Sequence, residues 1–179
     1  RRDGYCVVTL SWVFFTFFGM LPFYFSGSID TITNAFFETM SGFTTTGATI
    51  LDDIESLSHG MLFWRSLTQW IGGLGIVFFT IAILPIFTTG GVQLFSAEST
   101  GVTHDRTHPK INVMAKWLWT IYLVLTVSET VLLMFGGMSL FDAICQSFAT
   151  TATGGYSTKQ NSISYWNSPY IDYVVAIFM

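Results

Sequence analysis

Charge is what this chain has least of. Seven basic and eleven acidic residues make up 10% of 179, where soluble domains carry about 25%, so a soluble globular domain is excluded. Between Gly4 and Trp64 there is no Lys or Arg at all. Cysteine is nearly absent. Cys6 and Cys145 lie far apart without Cys-x-x-Cys spacing, which argues against a disulfide framework or a metal site and predicts two buried, inert thiols. The sequence also lacks G-x-S-x-G, H-E-x-x-H and any catalytic Ser/His/Asp spacing, so no enzyme is expected.

What the chain has is hydrophobic length. Half of it (51%) is hydrophobic, with eighteen Phe, and three stretches reach the roughly 20 residues that cross a bilayer core. These are Tyr5 to Phe25, about 61–87 and about 113–138; a fourth starts near Tyr170. The first is too long for a signal-peptide core and has no small-residue cleavage site after it. A start at Arg1 and a stop within a hydrophobic run read as a piece of a longer membrane protein. Arg1 and Arg2 precede the first span and Arg106, Lys110 and Lys116 follow the second, so the positive-inside rule puts the N-terminus and the 89–112 loop in the cytoplasm. The acids Asp30, Glu38, Asp52, Asp53 and Glu55 then fall on the outer side, where they raise the local cation concentration.

A polar phrase occurs twice between these spans. Thr44-Thr45-Thr46-Gly47-Ala48-Thr49 follows a run at about 30–41, and Thr151-Ala152-Thr153-Gly154-Gly155-Tyr156 follows one at about 139–149. Asn34-Ala35-Phe36-Phe37-Glu38-Thr39 parallels Asp142-Ala143-Ile144-Cys145-Gln146-Ser147 at an offset of 108. The two Thr-Gly steps align at 107 if one residue is dropped. Runs of ten to twelve residues are too short to span, so each repeat predicts a spanning helix, a re-entrant half-helix, a Thr-Gly turn and a second spanning helix. Asp30-Thr31 and Ser139 with Asp142 suit the half-helix starts, as caps or as charges favoured by the dipole. Extended Gly/Thr backbone at membrane depth offers carbonyl oxygens to a dehydrated cation.

Other polar residues take plainer expected roles. Gly72-Gly73-x-Gly75 completes no nucleotide loop and is expected to let helices approach closely. Arg65 and Gln69, one turn apart on the outer part of the second span, are expected to anchor that helix at the interface, with bracing of the pore loop as the alternative. Glu129 is the one acid inside a spanning helix and is expected to be held in the bundle interior. His104-Asp105-x-x-His108, with Thr107 and Pro109, is expected to be a solvated loop rather than a metal site.

Four phrases together resemble a known family: Ser41 to Thr49, Gln69-Trp70-Ile71-Gly72-Gly73-Leu74-Gly75-Ile76, Gly91-Val92-Gln93-Leu94, and Ser147 to Thr158. In order and spacing they are similar to the Trk/Ktr/HKT potassium transporters, nearest the bacterial TrkH type. The resemblance implies an all-α integral membrane fold in which four helix–pore loop–helix units surround one pore, with about 1.5–2 units present here. It divides the chain into a first unit at 1–88, a cytoplasmic linker at 89–112 and a second unit at 113–179, truncated in its last helix. It implies that Thr45, Thr46 and Gly47, with Ala152, Thr153 and Gly154, present backbone carbonyls to K+, the transported ion. It also implies a bacterial inner-membrane location, with two further pore units, a second copy of the protein, nucleotide-binding cytoplasmic regulatory subunits and membrane lipid as partners, and no nucleic acid. A sodium-conducting relative, or a membrane scaffold without a pore, are the competing readings. Glycine at both filter positions speaks against the former.

Overall fold

Helix is the only regular structure among the residues that the computed structural model describes, 2–76 and 107–179. In chain order these are α1 (Arg2–Gly19), α2 (Leu21–Phe25), α3 (Ile32–Phe43), α4 (59–76), α5 (Thr107–Phe135), α6 (Leu140–Thr151) and α7 (Pro169–Phe178), with a 3-10 turn at Ser162–Trp166 before the last. The Gly91-Val92-Gln93-Leu94 phrase, the 77–87 part of the second span, and His104 with Asp105 lie outside the described residues.

Two stretches are long and apolar enough to cross a membrane, Val8–Phe25 and Ala115–Phe135. The first is two helices in near continuity. Met20 donates its amide to the Thr16 carbonyl and Tyr24 to that of Met20, while Pro22 sits in the first turn of α2, where its missing N–H breaks no bond. Large side chains such as Phe14, Phe18 and Trp117 stand 60%, 61% and 66% exposed. That is the surface expected of a helix whose solvent is hydrocarbon. α5 begins at Thr107, not near 113, and this corrects the loop expected at 107–112. Pro109 falls in its first turn, where helices accept proline.

The short helices α3 and α6 are enclosed where the long ones are bare. α3 packs on α1 and α2, and α6 along α5 and against α7. One core gathers Met20, Phe23, Ile29 and Ala35; a second gathers Leu133, Met138, Ala143, Ile171, Val174 and Val175. Each half of the chain thus builds its own apolar centre from a long helix and a half-length one. The glycines of α4 bring the halves together. A Cβ on Gly72 would overlap the Phe43 carbonyl, and one on Gly73 would press on the Tyr122 hydroxyl and Ala152. Close approach is therefore their role, as expected. The Tyr122 hydroxyl donates to the Trp70 carbonyl (3.1 Å), and the Trp70 indole N–H to Thr126 Oγ1 (3.0 Å), pinning α4 to α5. Cys145 is buried as expected, but Cys6 is exposed on α1.

Candidate functional site

The half-helices begin and end alike. Thr31 caps α3, its side-chain oxygen accepting the Asn34 amide (3.3 Å), and Ser139 caps α6 by accepting that of Asp142 (3.1 Å). At the other end the chain closes each helix with two backbone hydrogen bonds. Thr45 donates to Gly42 and Thr46 to Ser41; Thr153 donates to Thr150 and Gly154 to Ala149. Thr45 and Thr153 turn into the left-handed region at φ 54° and 53°, and Gly47 and Gly155 at φ 76° and 83°.

Every one of these correspondences runs at an offset of 108, from Thr31/Ser139 through Thr45/Thr153 to Gly47/Gly155. This corrects the expected register, in which a residue was dropped and Gly154 matched Gly47. The backbone partner of Gly47 is Gly155, and that of Thr46 is Gly154. Ala152 still has right-handed helical geometry at the α6 C-cap (φ −83°, ψ −5°), where it corresponds to Thr44, so it stands before the extended segment rather than in it. The physical reason is that φ decides the match. Only glycine reaches the left-handed region without steric cost, and the sequence offers two adjacent glycines in the second copy.

Among the described residues, no hydrogen bond takes up the carbonyls of Thr45, Thr46 and Gly47, or of Thr153, Gly154 and Gly155. Two carbonyls just beyond them are occupied. Ala48 O accepts from Ser41 Oγ (2.6 Å) and Tyr156 Oη (3.3 Å), and Ser157 O accepts from Arg65 Nη1 (3.0 Å). The two segments touch: a Cβ on Gly47 would overlap the Gly154 carbonyl oxygen. Both follow directly on helix C-termini, whose partial negative charge favours a cation.

Behind these segments lies a buried brace, the alternative reading of Arg65 and Gln69 rather than the preferred one. Arg65 is 2% exposed and Gln69 fully buried, so neither anchors α4 at an interface; both face the loops. Arg65 Nε donates to Glu38 Oε1 at 2.8 Å, and its guanidinium carbon lies 3.6 Å from the centre of the Tyr156 ring. Glu38 also accepts from Thr49 Oγ1 (2.9 Å) and the Ile50 amide (3.0 Å). Tyr156 Oη donates to the Glu38 carbonyl (2.8 Å), and the Tyr156 amide to Gln69 Oε1 (3.1 Å). Glu38 and Tyr156 were missed as site residues. The available signal was an acid midway along an apolar half-helix, with an arginine on the next helix to neutralise it.

The second half-helix carries Gln146 where the first has Glu38. Glu129 is fully buried beside it, as expected. It accepts from Thr151 Oγ1 (3.3 Å), and its other oxygen has no partner among the described residues. At the rim, Lys159 pairs with Glu55 (3.3 Å), Gln160 Oε1 accepts the Ile54 amide (3.1 Å), and Asp52 and Asp53 stay exposed. Desolvation works against the Lys159 charge, but the hydrogen bond and charge of Glu55, together with the charges of Tyr165 and Asp142, hold the amine above the ordinary lysine range.

Comparison with known proteins agrees with this architecture. A family model described as TrkH, cation transport protein, matches residues 1–179. The Trk system potassium uptake protein TrkH of Escherichia coli (strain K12) is 50% identical over 180 residues, covering 99% of this chain and 37% of that protein. The Trk system potassium uptake protein TrkG of the same strain is 36% identical over 179 residues, again with 37% of its length covered. The crystal structure of the potassium transporter TrkH from Vibrio parahaemolyticus superposes with a TM-score of 0.84 at 39% identity, covering 99% of this chain and 35% of that one. The chain thus spans a little over a third of the length of the curated relatives it matches. With a family model matching end to end and a solved relative sharing the helix–pore loop–helix arrangement, the chain belongs to the TrkH family of cation transport proteins.

Proposed function

We propose that the chain is part of the pore-forming subunit of a potassium uptake system, supplying two of its filter segments. The observation that carries this is the pair of backbone-equivalent segments whose carbonyls have no donor, each at a half-helix C-terminus within an apolar, helical protein. Carbonyls so placed replace the hydration shell of a cation at membrane depth. The K+ ligands in this reading are the carbonyls of Thr45, Thr46 and Gly47 and of Thr153, Gly154 and Gly155. Residues 1–88 form the first unit and 113–179 the second, joined by a cytoplasmic linker at 89–112 whose last residues already belong to α5.

Two further units complete the ring, since two segments leave half the coordination shell unfilled. In this reading the protein works as a homodimer with cytoplasmic nucleotide-binding regulatory subunits, in a bacterial inner membrane; the placement of basic residues before the first span and after the second supports pore loops that face outward. The test is flux through the full-length protein in liposomes, together with growth of a potassium-uptake-deficient strain on low potassium. Rubidium and potassium uptake well above that of sodium is the expected result. Equal or preferred sodium flux points to the sodium-conducting alternative, and no cation flux overturns the transport reading.

A further inference from the structure

We propose that Gln69, with Arg65 one turn before it, is a positioning residue that aims the Gly155 carbonyl and so sets ion preference in the second filter segment. This rests on the reading that residues 153–155 line the ion path. The argument starts from the planar trans peptide, in which C=O and N–H point in opposite directions. The Tyr156 N–H and the Gly155 C=O belong to one such plane. That N–H donates to Gln69 Oε1 at 3.1 Å, so the Gly155 carbonyl points away from α4. Gly155 has φ 83° and open space where a Cβ would stand, so by itself it could turn its peptide over at little steric cost. The Gln69 bond opposes that turn.

Three further observations make this a built contact. Gln69 is fully buried, and its side-chain amide lies so close over Gly154 that a Cβ there would overlap it. The side chain therefore has no room to move toward the loop. Arg65 Nη1 holds the next carbonyl but one, Ser157 O, at 3.0 Å, and the same guanidinium stacks on the Tyr156 ring. Residues i and i+4 on one helix face thus grip the chain on both sides of Tyr156. The grip crosses between units, because α4 follows the first filter segment and holds the second.

The experiment uses the full-length transporter in liposomes, comparing rubidium and sodium flux. Gln69→Met keeps the side-chain length and removes the acceptor. It should lower the rubidium-to-sodium ratio several-fold at unchanged protein yield, because one carbonyl of the ring is no longer held in place. Gln69→Glu restores an acceptor oxygen and should recover most of the ratio. A wild-type ratio in Gln69→Met overturns the proposal. So does an equal loss of both fluxes, which assigns Gln69 to stability alone. Should Gln69→Met fail to fold, Arg65→Lys serves instead. It keeps a cation beside Glu38 but not the fork that also reaches Ser157, and an unchanged ratio there is equally fatal. Wild-type protein run alongside separates this from the transport reading, which fails only if wild type itself carries no potassium-like flux.

Discussion

The two half-helices occupy one backbone frame, and one pair of corresponding buried positions is partnered very differently. Glu38 in the first has every oxygen engaged, by Arg65, Thr49 and the Ile50 amide. Gln146, its counterpart in the second, reaches only Thr150 through Nε2 (3.4 Å), and its Oε1 has no partner among the described residues. A buried carboxylate is tolerable when a cation and several donors meet it, and costly otherwise. Arg65 of α4 supplies the cation to the first half-helix while gripping the loop that follows the second. The two copies therefore share a shape but not a charge arrangement.

Breaking the pair should produce the largest effect. Arg65→Met leaves Glu38 buried without a cation and should destabilise the full-length protein by about 3–5 kcal/mol, read as lost thermal stability in detergent. Gln146→Leu, the matching change in the other unit, should cost about 1 kcal/mol or less, since one of its polar atoms is already without a partner. Comparable losses in the two variants would remove the asymmetry.

The glycine pair sharpens the comparison next. Both Gly47→Ala and Gly155→Ala place a side chain at positive φ, costing about 1 kcal/mol or more each. Only Gly47 also collides, with the Gly154 carbonyl, whereas Gly155 has free space. Gly47→Ala should therefore reduce potassium uptake in a deficient strain much more than Gly155→Ala. The reverse order would mean that the two segments do not touch as described.

The caps come third. Ser139→Ala should lower stability by about 1 kcal/mol and Thr31→Ala by somewhat less, because the Ser139 hydroxyl also donates to Asp142 Oδ2 (2.7 Å). Smallest is the rim. Lys159→Ala removes an exposed pair with Glu55 and should change the melting temperature by an amount worth about 0.2–1 kcal/mol, vanishing at high salt. A salt-independent loss would make Lys159 more than a surface partner.

Much of this was legible in the sequence, and the exceptions share a cause. Two of the expected spans, the half-helices and both capping residues follow from hydrophobic length and from hydroxyls at helix starts, which are local signals. The α4 glycines were legible because a cluster of small residues in an apolar helix has few other uses. The register between the two Thr-Gly turns slipped by one because matching letters paired Thr46-Gly47 with Thr153-Gly154. Backbone dihedrals pair Gly47 with Gly155 instead, and a one-letter comparison does not see φ. For Arg65 and Gln69 the preferred interface role gave way to the alternative, bracing the pore loop, for another reason. Whether a polar side chain on a spanning helix faces the interface or the interior depends on rotation about the helix axis and on what packs there, here Glu38 and Tyr156 from distant parts of the chain.

The constant spacing from helix cap to positive-φ glycine has a consequence for how such a protein can change in length. A residue inserted within Ile32–Phe43 would turn everything after it by about 100° and advance it by about 1.5 Å, carrying the loop carbonyls off their line. Loop closure costs grow only slowly with length, so extra residues after the filter are cheap. The chain already uses that freedom. Thr49 is followed by helix at 59, but Ser157 is followed by helix only at Pro169, with the Ser162–Trp166 turn filling the added distance. Gains and losses of residues among relatives should then concentrate at 51–58 and 159–168 and spare the stretches from Thr31 to Thr49 and from Ser139 to Ser157, which act as rulers.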